Sequence, residues 1–200
     1  MTTTTEPRVA AREPLVRGYL ILDSAAYFRS RSEETPQRFD EELPLPLRMA
    51  LDAINPTGFY PRRHHAELLA AIARGRHGYD ALYVDLMQCG AQLAVPDNYF
   101  AKLLLKVLTP QLFVQKLPKL WSRDHRDGGR LELESIDPVA GSAKLRLVGV
   151  GGYTHGAIVW LGWIKRVLVE LACPKADVRQ AGWTWTNPEP SDVSYEVRWS

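Results

Sequence analysis

The last hundred residues alternate between helical and strand periodicity, and this order constrains the fold more than any other feature of the chain. Residues 99–121 carry apolar side chains at helical spacing and predict a long helix. Residues 130–136 and 143–149 alternate as strands around a short turn and predict a β-hairpin. Residues 156–172 return to the helical period, and residues 193–199 alternate again. We therefore expect an antiparallel sheet packed by two long helices.

The first half of the chain is predicted to be mainly helical. Residues 1–14 are rich in Thr, then charged and proline-containing, and indicate a flexible leader. Residues 64–74 and 80–93 carry apolar side chains on one helical face and predict two helices. The apolar run 16–22 predicts a strand that joins the sheet. The expected fold class is α+β, with one domain over residues 15–200.

Composition narrows the kind of protein without naming its function. The chain is 46% hydrophobic and 24% charged, an ordinary globular balance, and its net charge of +2 is too small to indicate a nucleic-acid partner. Cys89 and Cys173 are far apart and indicate buried free thiols in a reducing compartment. The start of the chain lacks the apolar core of a signal peptide, and no stretch predicts a membrane span. We expect a cytoplasmic protein.

The order of these segments resembles that of a known family. The pieces are VRGYLIL, GFYPRRHHAELLAAIA, LPKLWSRDHRDGGRLELESI, GWIKRVLVELA and YEVRW. On these the chain resembles the myxobacterial paralogous family of unknown function. That family is similar to the haem nitric-oxide-binding (H-NOX) fold and to the vinyl-reductase-type ligand-binding domain, itself related to TRAPP vesicle-tethering subunits. The resemblance implies a sensor or binding domain that controls a partner and is often dimeric.

Two departures from the haem-binding relatives weigh against haem. In those relatives a histidine before the first hairpin ligates the iron, and the matching position here is Trp121, whose indole nitrogen has no free lone pair. The relatives also clamp the haem propionates with a Tyr-x-Ser-x-Arg motif, which is replaced here by Val150, Gly152 and Thr154. These departures predict a protein without a cofactor. One weaker alternative is degenerate haem binding through His125, four residues after Trp121.

The sequence offers no catalytic or metal-binding motif. The histidines and cysteines lack the spacing of a metal site, so no metal is predicted. The glycine-rich segment 149–156 lacks the Lys-Ser/Thr of a phosphate-binding loop and is typical of a turn before a helix. Asp124 and His125 are adjacent in sequence and do not make a catalytic pair. We therefore expect no enzymatic activity.

Two groups of residues are candidates for recognition. The helix 156–172 has a second apolar stripe, which must be covered by the N-terminal helices, by a ligand or by another subunit. The predicted ligand-binding residues are Trp121, Trp160, Trp163, Val167, Tyr153 and His155. Trp183 and Trp185 are candidates for the same wall. A weaker prediction is an anion or nucleotide site at Arg123, Arg126 and Arg130, within a basic stretch that is more typical of a solvated helix end.

Two functional hypotheses follow from different classes of protein. In the first, the chain is a non-catalytic, non-haem sensor or adaptor that binds a small apolar or mixed-polarity ligand at the tryptophans and regulates a partner protein. In the second, it is a ligand-free interaction module, similar to TRAPP subunits, whose exposed tryptophan face mediates dimerisation or partner docking. Degenerate haem binding stays open as a third hypothesis.

Overall fold

The computed structural model describes residues 12–31, 40–41, 43–74, 79–94, 108–181 and 191–199. The elements in these ranges form two antiparallel sheets and a set of helices packed between and beside them. The helices are α1 (Gly18–Arg31), α2 (Leu45–Ala53), α3 (Arg62–Arg74), α4 (Tyr79–Leu93), α5 (Pro110–Asp124) and α6 (Thr154–Glu170). None of the described helices is long and apolar enough to cross a membrane.

The C-terminal half contains the predicted four-stranded antiparallel sheet. Its strands are β4 (Arg130–Asp137), β5 (Ser142–Val148), β6 (Asp177–Ala181) and β7 (Val193–Arg198), in the order β4-β5-β7-β6. Alternation along β5 buries Leu145 and Leu147 and exposes the residues between them, as the period of a strand requires. The α+β class and the order helix, hairpin, helix, hairpin are therefore confirmed.

Helix α6 packs on one of its apolar sides against α4, which approaches it at very close range. A Cβ added at Gly90 would lie 1.8 Å from the carbonyl oxygen of Val159, and one at Gly162 would lie 2.0 Å from that of Met87. The absence of a side chain at these two positions therefore allows the backbones to touch. The sequence allowed the second apolar stripe of this helix to contact the N-terminal helices, a ligand or another subunit. In the structure it is an N-terminal helix, α4, that packs against α6.

A second sheet of three short strands was not predicted. It consists of β1 (Leu15–Arg17), β2 (Phe59–Pro61) and β3 (His125–Arg126), in the order β2-β1-β3. The prediction of a strand over residues 16–22 is therefore wrong in extent and in sheet. From Gly18 onward the run is helical, because its buried residues recur at the helical period as Leu20, Ile21, Ser24, Ala25 and Phe28.

The long helix predicted over 99–121 is described only in its second part. The hydroxyl oxygen of Thr109 accepts a hydrogen bond from the amide of Leu112 (3.2 Å) and caps α5, with Pro110 in its first turn. The helix continues past Pro118 and ends at Asp124. Residues 95–107, the start of the predicted leader, and Trp183 and Trp185 lie outside the described residues.

Candidate functional site

The centre of the site is a stack of two rings, Trp121 on α5 and His125 on β3. Their ring centroids are 3.6 Å apart and the planes are parallel within 1°. Trp121 is fully buried and His125 is 3% exposed. The indole NH of Trp121 donates to the carbonyl of Gly129 (3.3 Å) and so holds the ring against the turn before β4. Because α5 ends at Asp124, the two rings meet across the end of the helix and not along one helical face.

The imidazole of His125 has one bonded nitrogen and one nitrogen without a partner. Its Nδ1 lies 3.2 Å from the carbonyl oxygen of Trp121. A carbonyl only accepts, so Nδ1 carries the proton and the lone pair is on Nε2. Nε2 is buried and has no hydrogen-bond partner among the described residues. Burial lowers the pKa of His125 to about 3, with smaller contributions from the nearby His65 and Arg62. The ring is therefore neutral at physiological pH, with an unused buried acceptor.

Two of the predicted tryptophans surround this stack but do not form an exposed face. Trp160 lies edge-on to Trp121 with centroids 5.1 Å apart, and Trp163 contacts Trp160 (5.1 Å) and Phe113 (5.6 Å). Trp160 is only 6% exposed and Trp163 is half-buried. Trp160 is therefore not exposed, and only Trp163 of the predicted tryptophan face is in part accessible.

Tyr153 belongs to a line of buried polar groups that the sequence did not predict. The phenol of Tyr153 lies 2.6 Å from Nδ1 of His65, and Nε2 of His65 lies 3.0 Å from the hydroxyl of Ser24. The thiol of Cys89 donates to the same hydroxyl at 3.6 Å. We call Ser24, His65, Cys89 and Tyr153 the polar cluster. Its members come from four separate helices or helix ends, so no local pattern in the sequence points to them.

The polar cluster is neutral because its groups are buried. Burial lowers the pKa of His65 to about 3 and raises the pKa of the Cys89 thiol to about 12. Burial also raises the pKa of the Tyr153 phenol. A serine hydroxyl beside a histidine is a nucleophile–base arrangement in form. Ser24 and His65 are closed off from solvent, however, so this pair has no access to a substrate.

Arg62 connects the polar cluster to the loops on either side of the first hairpin. Its guanidinium donates to the carbonyls of Gly128 (2.7 Å) and Gly151 (3.2 Å) and lies 5.0 Å from the ring centroid of Tyr153. Burial lowers the pKa of Arg62. The guanidinium is thus held between backbone carbonyls, with the phenol ring beside it. Arg62 positions the turn that also receives the indole of Trp121.

The three arginines of the predicted anion site are not brought together as a set. Arg123 donates to Asp124, whose carboxylate raises the pKa of Arg123. Arg130 pairs with Glu132 on the four-stranded sheet. Arg126 lies over the ring of Phe59 at 3.7 Å from its centroid and makes no ion pair with a described residue. The three side chains therefore have three different environments.

The remaining predicted site residues are more peripheral. Val167 is buried on α6, two turns beyond Trp160, and His155 is half-buried in the first turn of that helix. A surface cleft of about 510 Å³ lies elsewhere, between α1 and the end of α4, and is lined by polar side chains such as Asp23 and Arg31. None of the predicted site residues lines it. The structure thus brings Trp121, Trp160 and Tyr153 together around His125.

Solved structures of H-NOX proteins have the same fold as this chain. One is the Fe(II) unliganded H-NOX protein from K. algicida, with a TM-score of 0.65 and 11% identity, covering 92% of this chain and 96% of its own. Another, from a study of heme distortion in the H-NOX family, has a TM-score of 0.62 and 10% identity. The match covers 92% of this chain and 95% of that one. A third is an oxygen-binding H-NOX domain related to soluble guanylate cyclases, solved as its oxygen complex. Its TM-score is 0.59 and its identity 10%, and the match covers 92% of this chain and 95% of that domain.

These structures correct the prediction that the chain has no cofactor. These H-NOX structures include an Fe(II) protein, one used to study heme distortion and an oxygen complex, and on this finding the prediction of no cofactor is wrong. The residue types present fit an axial ligand at His125 and not at Trp121. A metal-binding histidine characteristically donates its other NH to a backbone carbonyl, as Nδ1 of His125 does. The unpartnered Nε2 then supplies the lone pair.

The likeness to the H-NOX structures is one of fold and not of sequence. No family model matches the sequence, and no curated protein matches it. The chain therefore has the fold of H-NOX domains.

Proposed function

We propose that this protein is a non-catalytic sensor domain that binds haem through Nε2 of His125 and regulates a partner protein. The observation that carries the proposal is a neutral, buried imidazole with a free acceptor at the centre of an H-NOX fold. A buried acceptor without a partner costs about 1–3 kcal/mol, so its presence favours a ligand that completes it. Haem would supply an iron whose remaining position binds a small ligand.

The residues around His125 have defined roles in this proposal. Trp121 stacks on one face of the imidazole, and its carbonyl fixes the tautomer, so the same residue orients both the plane and the lone pair. Trp160 and Tyr153 lie beside the imidazole, with ring centroids 6.0 Å from that of His125. Since Nε2 is closed off from solvent in this packing, haem uptake requires these rings to move apart.

The test is a titration of the purified protein with haem, followed by the Soret absorbance. We expect uptake by the unaltered chain and at least about tenfold weaker uptake by His125→Ala, comparable to the smaller losses seen when metal sites are disturbed. His64→Ala is the matched control, because Nδ1 of His64 is also buried without a hydrogen-bond partner, whereas its ring is only half-buried and has no stacking contact with Trp121. His125→Gly should regain the Soret signature when free imidazole is added.

Each outcome of this titration decides one part of the proposal. A chain that takes up no haem under any condition overturns haem as the cofactor. Uptake by His125→Ala equal to that of the unaltered chain overturns His125 as the ligand. Equal losses in His125→Ala and His64→Ala indicate a general effect on folding, and the imidazole rescue then separates ligation from packing.

A further inference from the structure

The outer face of the three-stranded sheet carries two arginines on one aromatic ring. The guanidinium carbon of Arg17 on β1 lies 4.2 Å from the ring centroid of Phe59 on β2, and that of Arg126 on β3 lies 3.7 Å from it. Arg17 and Phe59 are direct cross-strand partners, so both point to the same side of the sheet. Leu15 pairs with Arg126 and joins them on that side. We call Arg17, Phe59 and Arg126 the arginine clamp.

The arginine clamp holds two positive charges that no described carboxylate neutralises. Arg17 donates to the carbonyls of Thr57 (2.6 Å) and Arg123 (3.4 Å), which carry no charge. Arg126 has only the ring of Phe59 as its described contact. Cation–π contact orients a guanidinium without cancelling its charge. Two like charges held near one ring therefore favour an anion at this face.

The neighbouring basic residues differ from the arginine clamp because they already have acidic partners. Arg63 pairs with Glu13, and Arg123 pairs with Asp124. Within the three-stranded sheet itself, Arg17 and Arg126 are therefore the described cations without an acidic partner. A small, ordered pair of guanidiniums is suited to carboxylates, which each guanidinium can bind through two parallel hydrogen bonds.

The arginine clamp lies on the opposite side of the sheet from the stack of Trp121 and His125. His125 and Arg126 are consecutive on β3, where His125 is buried and Arg126 is exposed. Val16, the cross-strand partner of His125, is also fully buried, between the outward-facing Leu15 and Arg17. A displacement of His125 must therefore move the backbone that carries Arg126, so the two faces are mechanically linked.

We propose that the arginine clamp docks an acidic segment of a partner protein, with two carboxylates bound by Arg17 and Arg126 and an apolar side chain against the edge of Phe59. The charge complementarity of an uncompensated cationic pair carries the choice of partner. A nucleic acid fits less well, because the net charge of the chain is only +2 and Asp127 and Glu132 lie within six residues of Arg126. This inference rests on the proposed function only in assuming that a sensor has a partner.

The test measures binding of a short fluorescein-labelled peptide of alternating Glu and Leu residues by anisotropy, with no haem present. We expect Arg126→Glu to weaken binding at least about tenfold. Arg179→Glu is the matched control, since it makes the same charge change at an exposed arginine of the other sheet, and it should stay within about twofold of the unaltered chain. Addition of the peptide should shift the backbone amide NMR signals of β1 and β3, and those of β6 much less.

The outcomes separate this inference from the haem proposal. Equal losses in Arg126→Glu and Arg179→Glu would mean that net charge alone attracts the peptide, and the inference fails. It also fails if a short oligothymidylate binds as tightly as the peptide with the same dependence on Arg126. The thermal unfolding midpoint of each variant checks folding, and Arg126→Ala provides a milder change. His125→Ala should keep peptide binding, so loss of haem uptake and loss of docking are independent results.

Discussion

The two sheets of this protein neutralise their charged side chains in different ways. On the four-stranded sheet, the charges pair locally: Arg179 with Asp177, Arg130 with Glu132, and Arg146 with Asp192 at the start of the last hairpin strand. On the three-stranded sheet, Arg17 and Arg126 lie over an aromatic ring and have no described acidic partner. Three arginines of the larger sheet thus have acidic partners, although Lys144 and Arg198 of that sheet have no ion pair with a described residue. Neither arginine of the smaller sheet has an acidic partner among the described residues.

The two sheets also differ in the kind of side chain that each one buries. The larger sheet contributes aliphatic side chains to the core, such as Leu145, Leu147 and Val197. The smaller one contributes His125, with an unpartnered nitrogen. Local rules of packing and polar satisfaction are generally broken at functional sites and kept elsewhere. The larger sheet also has an unpartnered polar group, the amide of Gln180 on β6, but that residue is only half-buried and lies on an edge strand. The unpartnered nitrogen of His125 belongs to a buried ring among aromatic side chains, so the proposed ligand contact lies on the smaller sheet.

The largest expected effect is at Gly129, which lies between the two sheets. This residue has φ of +85°, and a Cβ there would lie 2.4 Å from the carbonyl oxygen of Val148. Gly129→Ala should lower the free energy of unfolding by about 3 kcal/mol or more, from backbone strain and steric overlap together. Chemical denaturation measures the change. Gly151→Ala is the control, since a Cβ there contacts nothing within 4 Å, and a similar loss in both variants would contradict the argument.

Sequence reasoning was accurate for the larger sheet because its information is local. Strands β4 and β5 are joined by a four-residue turn, and alternation along β5 marks its buried face. Alternation is interrupted along β4 by a register shift between Leu133 and Ser135. The period of α6 likewise predicted two apolar stripes, and both are buried except at Trp163, which is half-buried. The covering of one stripe by α4 depends on Gly90 and Gly162, which lie 72 residues apart and have no side chain to reveal a contact.

The smaller sheet could not be predicted because its strands are very short and distant in sequence. Val16 pairs with both Tyr60 and His125, and a strand of two or three residues has no measurable period. The partnership of His125 with Trp121 was foreseen only as a shared helical face, and the helix ends before it. No sequence pattern indicated the polar cluster, because Ser24 and His65 are 41 residues apart in the chain.

The second prediction compares one buried phenol from each region. Tyr153→Phe removes the partner of Nδ1 of His65 and leaves a buried nitrogen unsatisfied, so it should cost about 1–3 kcal/mol. Tyr195→Phe, on the larger sheet, removes a donor to the carbonyl of Ala157 and should cost about 1 kcal/mol. Denaturant unfolding of both variants measures the difference. If Tyr195→Phe lowers the free energy of unfolding more than Tyr153→Phe does, the hydrogen bonds of the polar cluster do not contribute more to stability than that of the larger sheet.

The third prediction concerns acid sensitivity of the haem-free protein. Burial lowers the pKa of His65 in the folded state to about 3, whereas the unfolded histidine titrates near its ordinary value of about 6.5. Below that value the unfolded state binds the proton and the folded state does not. Stability should therefore fall as the pH drops from about 6.5 towards 3, by up to about 1.4 kcal/mol per pH unit from this residue.

The variant His65→Gln tests this assignment, because glutamine keeps hydrogen-bonding groups without a titration in this range. His65 contacts Ser24 and Tyr153 and lies near His125, while Cys89 bonds the same serine and Arg62 lies beside Tyr153. Tyr153 and Cys89 stay protonated and Arg62 stays charged over this interval, while His125 is common to both proteins. Unfolding free energies measured from pH 7 to pH 4 should show a shallower decline in the variant. Identical declines would assign the acid sensitivity to other groups.

The smallest effect distinguishes the two kinds of charged surface. Arg126→Ala removes one cation–π contact and should cost about 0.5 kcal/mol, and this loss should persist in high salt. Arg179→Ala removes an exposed ion pair with Asp177, worth a similar amount at low salt, and its loss should vanish as salt screens the pair. Denaturant unfolding at two ionic strengths gives both numbers. A large loss at Arg126 would make it a structural residue of the smaller sheet, whereas a small one leaves its charge available for a partner.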